Sequence, residues 1–120
     1  MRVQPFVLAV LLSLVVLFAP ASGVPTAPPG TDKIVHLAVF ALLALTGRAA
    51  GFRSWPLLAG LVVYAAASEV LQALLPIGRT GDVVDALVDV AGALLALGLS
   101  ALVARRRTAR SGRAGRARLD

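Results

Sequence analysis

The chain has no cysteine and a single histidine in 120 residues. The lack of thiols excludes disulfide frameworks, cysteine-ligated zinc, iron–sulfur clusters and thiol nucleophiles, and one imidazole argues against a histidine-rich metal centre. Charged residues make up only 15% of the chain, against about 25% in a typical soluble domain. Hydrophobic residues make up 58%, and the mean hydropathy is +0.86. This composition leaves too little polar surface for a water-soluble domain and indicates a membrane protein.

Four apolar segments, separated by loops rich in proline and glycine, account for most of the chain. They cover about residues 3–20, 31–47, 55–75 and 82–104. As helices, the third and fourth would be roughly 31 and 33 Å long, whereas the first two would reach only about 27 and 25 Å. A membrane's hydrocarbon core is about 30 Å thick. We therefore predict an all-α fold in which residues 1–104 form a four-helix transmembrane bundle.

Basic residues are divided unevenly between the two ends of this bundle. The end that holds both termini carries ten arginines, which are Arg2, Arg48, Arg53 and seven within residues 105–118. The opposite end carries Lys33 and Arg79. Because basic residues are retained on the cytoplasmic side, both termini are predicted to be cytoplasmic. The expected protein is a multi-pass component of the plasma membrane, with a homo-oligomer as one possible form.

The first apolar segment has a second interpretation. It follows Met1 and Arg2 and precedes Ala19-Pro20-Ala21, which is the order of parts in a cleaved signal peptide. The segment is therefore either a retained helix or a removed leader. Both interpretations leave the C-terminus in the cytosol.

Residues 105–120 carry the whole net charge of +6, because the acidic and basic residues of 1–104 balance. Gly112 and Gly115 disfavour a helix here, so we predict a disordered, basic cytoplasmic tail. Its expected partner is anionic lipid in the bilayer. No nucleic-acid-binding fold accompanies it, so nucleic acid is not expected as a partner.

Ionisable and amide side chains gather at the opposite, non-cytoplasmic end. They are Asp32, Lys33, His36, Glu69, Gln72, Arg79, Asp82, Asp85 and Asp89. A charge in a membrane span costs several kcal/mol unless it is paired or hydrated, so we predict that these residues line one outward-facing pocket. Glu69 and Asp89 each lie about 10 Å inside a helix end, and Gly92 would let the third and fourth segments approach closely.

The charges of this cluster do not balance. Five carboxylates face two cations and one imidazole, so either Glu69 or Asp89 is expected to hold a proton near neutral pH, or a cation binds. Structural roles are the alternative for single members of the cluster. His36 could simply be packed, Asp82 could only cap the fourth helix, and Ser13 and Gln72 could join helices by hydrogen bonds.

The same residues resemble the VanZ-like family of small bacterial membrane proteins. The pattern comprises Asp32-Lys33 followed by His36 and Phe40, then Glu69 and Gln72, then Pro76 and Arg79, and finally Asp85, Asp89 and Gly92. The family usually has asparagine where this chain has Asp89. The resemblance implies a four-helix protein of the cell envelope, and the family's founding member is associated with resistance to the glycopeptide teicoplanin.

Several functions fit this pattern. The first is a binding protein whose pocket accepts an envelope lipid, a lipid-linked precursor or a glycopeptide, with Lys33 and Arg79 meeting anionic groups and no resident cofactor. The second is a membrane enzyme acting on lipid-linked phosphates, in which Asp82, Asp85 and Asp89 would hold a metal ion. The third is a small proton- or cation-coupled transporter. The fourth is a helical bundle whose polar residues serve packing alone.

Overall fold

The computed structural model describes residues 2–119. All regular structure in this range is helical, as predicted from the sequence. The helices are α1 (Gln4–Phe18), α2 (Thr31–Ala49), α3 (Ser54–Leu74) and α4 (Val83–Ala117), with a short 3₁₀ turn at Ala21–Gly23. The predicted helix bounds lie within two residues of the observed ones, except at the C-terminal end of α4.

The basic C-terminal segment is helical, so the prediction of a disordered tail is wrong. α4 continues without a break to Ala117. Alanine and arginine, which make up most of this segment, are among the strongest helix formers, and they outweigh two glycines that each cost about 1 kcal/mol. Every side chain from Ala101 to Leu119 is exposed. The segment therefore projects from the bundle as a single basic helix.

α2 and α3 each pack against all three other helices, and α2 makes the more extensive contacts. The core between the helices is built from buried apolar side chains, among them Leu17, Phe40, Leu43, Leu61, Ala65, Ala93 and Ala96. The most extensive contact joins α2 to α4. It depends on Gly92, where an added Cβ would overlap the carbonyl oxygen of Leu37 and lie 3.1 Å from the carbonyl carbon and Cα of Leu37.

The prediction that Gly92 packs against the third helix is therefore wrong. The short connection between α3 and α4 suggested that Gly92 would face α3, but it lies against the backbone of α2. The consequence is a close alignment of the first two turns of α2 and α4, which with the cap residue Asp82 carry six of the nine predicted polar residues.

Two of the four helices, α3 and α4, are long and apolar enough to cross a membrane. α1 is apolar but has only 15 residues, and α2 includes three charged residues, Asp32, Lys33 and Arg48. Large apolar side chains are exposed on all four helices, for example Leu8, Ile34, Val63 and Leu95. Extended apolar surface of this kind is rare on soluble monomers. The structure is that of a membrane protein with at least two helices of spanning length.

Candidate polar pocket

A cavity of about 370 Å³ opens at the end of the bundle where α2 and α4 begin and α3 ends. Its lining includes six of the nine predicted site residues, which are Asp32, His36, Gln72, Arg79, Asp82 and Asp85. The other three, Lys33, Glu69 and Asp89, bond to residues of this lining. The structure therefore brings the nine residues together at one end of the bundle, and their role in binding a ligand stays a prediction.

The inner end of the pocket is a buried group of one imidazole and two carboxylates. Asp89 is fully buried, and His36 and Glu69 are 1% and 7% exposed. His36 Nδ1 lies 2.8 Å from Asp89 Oδ1 and 4.0 Å from Glu69 Oε1. On the other edge of the ring, His36 Nε2 lies 3.6 Å from Asp32 Oδ1. The imidazole is thus surrounded by carboxylates from α2, α3 and α4.

Each buried carboxylate has one oxygen bonded and one oxygen without a hydrogen-bond partner in residues 2–119. Glu69 Oε2 accepts from the backbone N–H of Asp82 at 2.9 Å, and Asp89 Oδ1 pairs with the imidazole. Glu69 Oε1 and Asp89 Oδ2 are buried and unpartnered. A buried acceptor without a partner costs about 1–3 kcal/mol, and more when it is charged. The inner end of the pocket therefore contains unused acceptors for a proton or a cation.

Lys33 connects the first turns of α2 and α4. Its ammonium donates to Asp85 Oδ1 at 2.8 Å and to Asp82 Oδ2 at 3.3 Å. Both bonds are made within the protein, and Lys33 is not among the residues that line the cavity, so a role for Lys33 in binding an anionic ligand stays a prediction. Arg79 is the basic residue that lines the cavity itself.

Asp82 caps α4, as the sequence suggested. Its carboxylate accepts from the backbone N–H of Val84 at 2.8 Å, which satisfies an otherwise unpaired donor of the first turn. This hydrogen bond, aided by the Lys33 ammonium and opposed by partial desolvation, lowers the pKa of the Asp82 carboxyl below its usual value. Asp82 is therefore held in its ionised form at the rim of the pocket.

The end of α1 closes one side of the pocket through backbone carbonyl groups. Gln72 Nε2 donates to the Leu17 carbonyl at 2.6 Å, and Arg79 Nε donates to the Ala19 carbonyl at 2.8 Å. Ala21 and Val24 complete this wall. The role of these carbonyl groups in the pocket could not be predicted from the sequence, because every residue has a backbone carbonyl and no residue type indicates which ones accept side-chain hydrogen bonds.

A second, mostly apolar groove of about 540 Å³ adjoins the pocket. It runs between the C-terminal part of α1 and the start of α2, along Val15, Val16 and the loop from Gly23 to Gly30. Val24, Asp32 and Arg79 line both cavities. The polar pocket and the apolar groove are therefore adjacent and share part of their lining.

The structure groups possible metal ligands differently from the sequence prediction. Asp82, Asp85 and Asp89 were expected to hold a metal ion only if the protein were a membrane enzyme, and Asp82 is used as a helix cap and as a partner of Lys33. Within residues 2–119, ligand atoms within 4.8 Å of one another occur in two sets built on the imidazole, which are His36 with Glu69 and Asp89, and His36 with Asp32 and Asp85. The carboxylate stripe along α4 is therefore not itself a metal-ligating set.

Comparison with known proteins identifies a family for most of the chain. The family model described as VanZ/LLP1 matches residues 5–104. The comparisons with curated proteins and with solved structures found no match. The matched range includes α1 except its first residue, the starts of the other three helices and every residue of the pocket, and it ends before the basic extension of α4.

Proposed function

Because the chain belongs to the VanZ/LLP1 family, we propose that it is a multi-pass protein of the bacterial plasma membrane that binds a lipid at the non-cytoplasmic surface. The polar pocket would accept a phosphate-bearing head group. The adjoining groove would accept the first part of the lipid's apolar chains. Candidate ligands are an anionic envelope lipid or a lipid-linked precursor.

The junction between the two cavities carries this proposal. A head-group site and a chain site must adjoin in any protein that binds an amphiphile, and here Val24, Asp32 and Arg79 line both. A purely polar ligand would leave the 540 Å³ groove without a role. The arrangement favours a lipid or lipid-linked ligand over a soluble polar molecule.

Arg79 is the residue best suited to bind the phosphate. Its Nε is held by the Ala19 carbonyl, which fixes the guanidinium at the boundary between the cavities. The two terminal nitrogens are donors whose planar geometry matches phosphate oxygens. Lys33, engaged by Asp82 and Asp85, would position the rim of the pocket.

The positions of the arginines indicate how the protein is oriented in the membrane. Arg48, Arg53 and the basic extension of α4 lie away from the pocket, so retention of basic residues in the cytosol places the pocket on the outer side. α2 is about 28 Å long and crosses if Asp32 and Lys33 lie at head-group level. α1, at roughly 22 Å, crosses with local thinning of the bilayer. All four helices then span the membrane.

Lipid retention by the purified protein tests the proposal. Native mass spectrometry would compare a polyprenyl diphosphate, phosphatidylglycerol and uncharged diacylglycerol added to the detergent-solubilised protein. We expect the phosphate-bearing lipids to be retained and diacylglycerol to be lost. Arg79→Gln should reduce phosphate-lipid retention about tenfold, because a charged hydrogen bond contributes about 1.5–3 kcal/mol. The matched control is Arg53→Gln, at the opposite end.

Two results would refute this function. One is equal retention of diacylglycerol and the diphosphate. The other is an equal effect of Arg79→Gln and Arg53→Gln. A link to teicoplanin resistance is part of the same proposal, and it predicts that Arg79→Gln at unchanged expression lowers the teicoplanin concentration that a producing bacterium tolerates.

A further inference from the structure

The inner end of the pocket combines three features that point to a bound cation. Three potential ligand atoms, from His36, Glu69 and Asp89, lie within 4.8 Å of one another. All three residues are more than nine-tenths buried. Glu69 Oε1 and Asp89 Oδ2 have no hydrogen-bond partner within residues 2–119. The last feature is independent of the clustering, since a cluster of acids can be fully hydrogen-bonded without any ion.

The distances suit a small ion after minor movement. A tetrahedral ion with bonds of about 2.1 Å holds its ligand atoms roughly 3.4 Å apart. His36 Nδ1 is 2.8 Å from Asp89 Oδ1 and 4.0 Å from Glu69 Oε1, so the two distances fall on either side of that value. Side-chain shifts of about 0.6 Å would complete the geometry, which is within the reach of rotamer adjustment.

Two of the ligands have a polar neighbour on their outward side. His36 Nε2 lies 3.6 Å from Asp32 Oδ1, just beyond hydrogen-bond distance, so a small side-chain shift would let Asp32 accept the Nε2 proton and leave the Nδ1 lone pair for an ion. Glu69 Oε2 is held by the Asp82 N–H, which leaves Oε1 for the ion. Metal-bound histidines and carboxylates commonly have such outer partners, and these partners set ligand orientation.

Charge supports a cation at the same place. Within the pocket and its inner end there are five carboxylates, Asp32, Glu69, Asp82, Asp85 and Asp89, and only Lys33 and Arg79 as fixed cations. Lys33 pairs with Asp82 and Asp85, and Arg79 binds a backbone carbonyl. Neither cation is paired with Glu69 or Asp89.

We propose that His36, Glu69 and Asp89 form a binding site for a divalent first-row transition ion such as Zn²⁺ or Mn²⁺. One imidazole nitrogen with two carboxylate oxygens suits these ions, whereas Mg²⁺ and Ca²⁺ prefer oxygen ligands alone. His36 also lines the 370 Å³ pocket, so the ion enters from the outer surface and keeps an open coordination position toward the pocket. The site requires no lipid, and its test is independent of the proposed function.

The experiment uses the full-length protein in detergent, purified with a tag that lacks histidine and stripped with a chelator. Isothermal titration with Zn²⁺, Mn²⁺ and Mg²⁺, and metal analysis after dialysis, measure uptake. We expect one Zn²⁺ or Mn²⁺ per chain and a higher unfolding temperature, since an ion that binds only the folded state stabilises it. Mg²⁺ should bind much more weakly. Because His36 is the only imidazole, a nitrogen signal in the spin-echo spectrum of bound Mn²⁺ would come from it.

Glu69→Gln and Asp89→Asn keep the side-chain shapes and remove one ligand charge each. Both should weaken uptake by about 10–100-fold or more and abolish the metal-dependent rise in unfolding temperature. The metal-free variants should fold normally, because the amides keep the side-chain shapes and can still bond to the Asp82 N–H and to the His36 imidazole. His36→Gln should remove the nitrogen signal.

Three results would overturn this site. The first is the absence of saturable uptake by the unmodified protein. The second is unchanged uptake in Glu69→Gln and Asp89→Asn. The third is loss of uptake in Asp85→Asn but not in Glu69→Gln, which would assign the ion to the set formed by Asp32, His36 and Asp85.

Discussion

Gly92 lies at a tight contact between α2 and α4, so Gly92→Ala tests directly whether this helix contact holds the pocket residues in place. An added Cβ would overlap the Leu37 carbonyl oxygen, and its 3.1 Å distances to two Leu37 carbons are shorter than the 3.4 Å at which ordinary contact begins. The obstructing atoms are backbone, so no side-chain rotation relieves them. The helices must separate by at least about 0.3 Å, and by more to clear the oxygen.

The expected cost follows from overpacking at a rigid contact, which is about 1–3 kcal/mol. The separation also lengthens the 2.8 Å contact between His36 and Asp89, since these residues lie on the same two helices near the clash. Gly92→Ala should therefore lower the free energy of unfolding and disturb the imidazole in one step.

Gly98→Ala is the matched control on the same helix. A Cβ at Gly98 meets nothing within 4 Å, and alanine is the better helix former by about 0.8–1.0 kcal/mol. Gly98→Ala should be neutral or stabilising. Unfolding in detergent, followed by circular dichroism, gives the stability, and the ring ¹⁵N signals of the single histidine report on His36. Equal stability of the two variants with unchanged His36 signals would refute this view of the α2–α4 contact.

Three further predictions concern other parts of the molecule. Asp82→Asn keeps a cap for α4 but removes a carboxyl whose pKa in the folded state is lowered by the Val84 N–H. As the pH falls below about 4, the unmodified protein should therefore lose stability more steeply than the variant in acid unfolding. Identical dependence of stability on pH in the two proteins would contradict this prediction. Ser13 Oγ and Tyr64 Oη lie 2.8 Å apart, so a double-mutant cycle of Ser13→Ala and Tyr64→Phe should give a coupling of about 0.5–1.5 kcal/mol, and zero coupling would exclude the bond. Removal of residues 105–120 should change the unfolding free energy by less than about 0.5 kcal/mol, because residues 105–119 are all exposed. A larger loss of stability would show that this segment packs on the bundle.

The helices and the membership of the pocket could be predicted because both depend on strong, local signals. Long apolar runs specify helices, and an ionisable residue such as Glu69 or Asp89 within such a run is costly enough to mark a site. The observed proximity of Glu69 and Asp89 agrees with the matching depth expected for these two residues from helix spacing. Asp82 as a cap followed from its position immediately before an apolar run.

The contacts between helices could not be predicted in the same way. A short turn shows that α3 and α4 are neighbours, but it does not determine which face of α4 meets α3, so the contact of Gly92 with Leu37 was missed. The engagement of Lys33 by Asp85 joins residues 52 positions apart, and no local pattern encodes it. Whether the basic segment would be helical depended on the balance between its strong helix formers and its two glycines. The spacing of the arginines gave no indication of how that balance would fall.

Accessibility of the pocket from the outer surface is the claim on which the proposed function and its orientation depend. The cysteine-free chain allows a direct measurement, in which Thr80→Cys at the pocket wall and Arg53→Cys at the opposite end are treated with a membrane-impermeant thiol reagent in intact spheroplasts. The proposed orientation predicts labelling of the Thr80→Cys protein before lysis and of the Arg53→Cys protein only after lysis. The reverse pattern would place the pocket in the cytosol and contradict the proposed orientation.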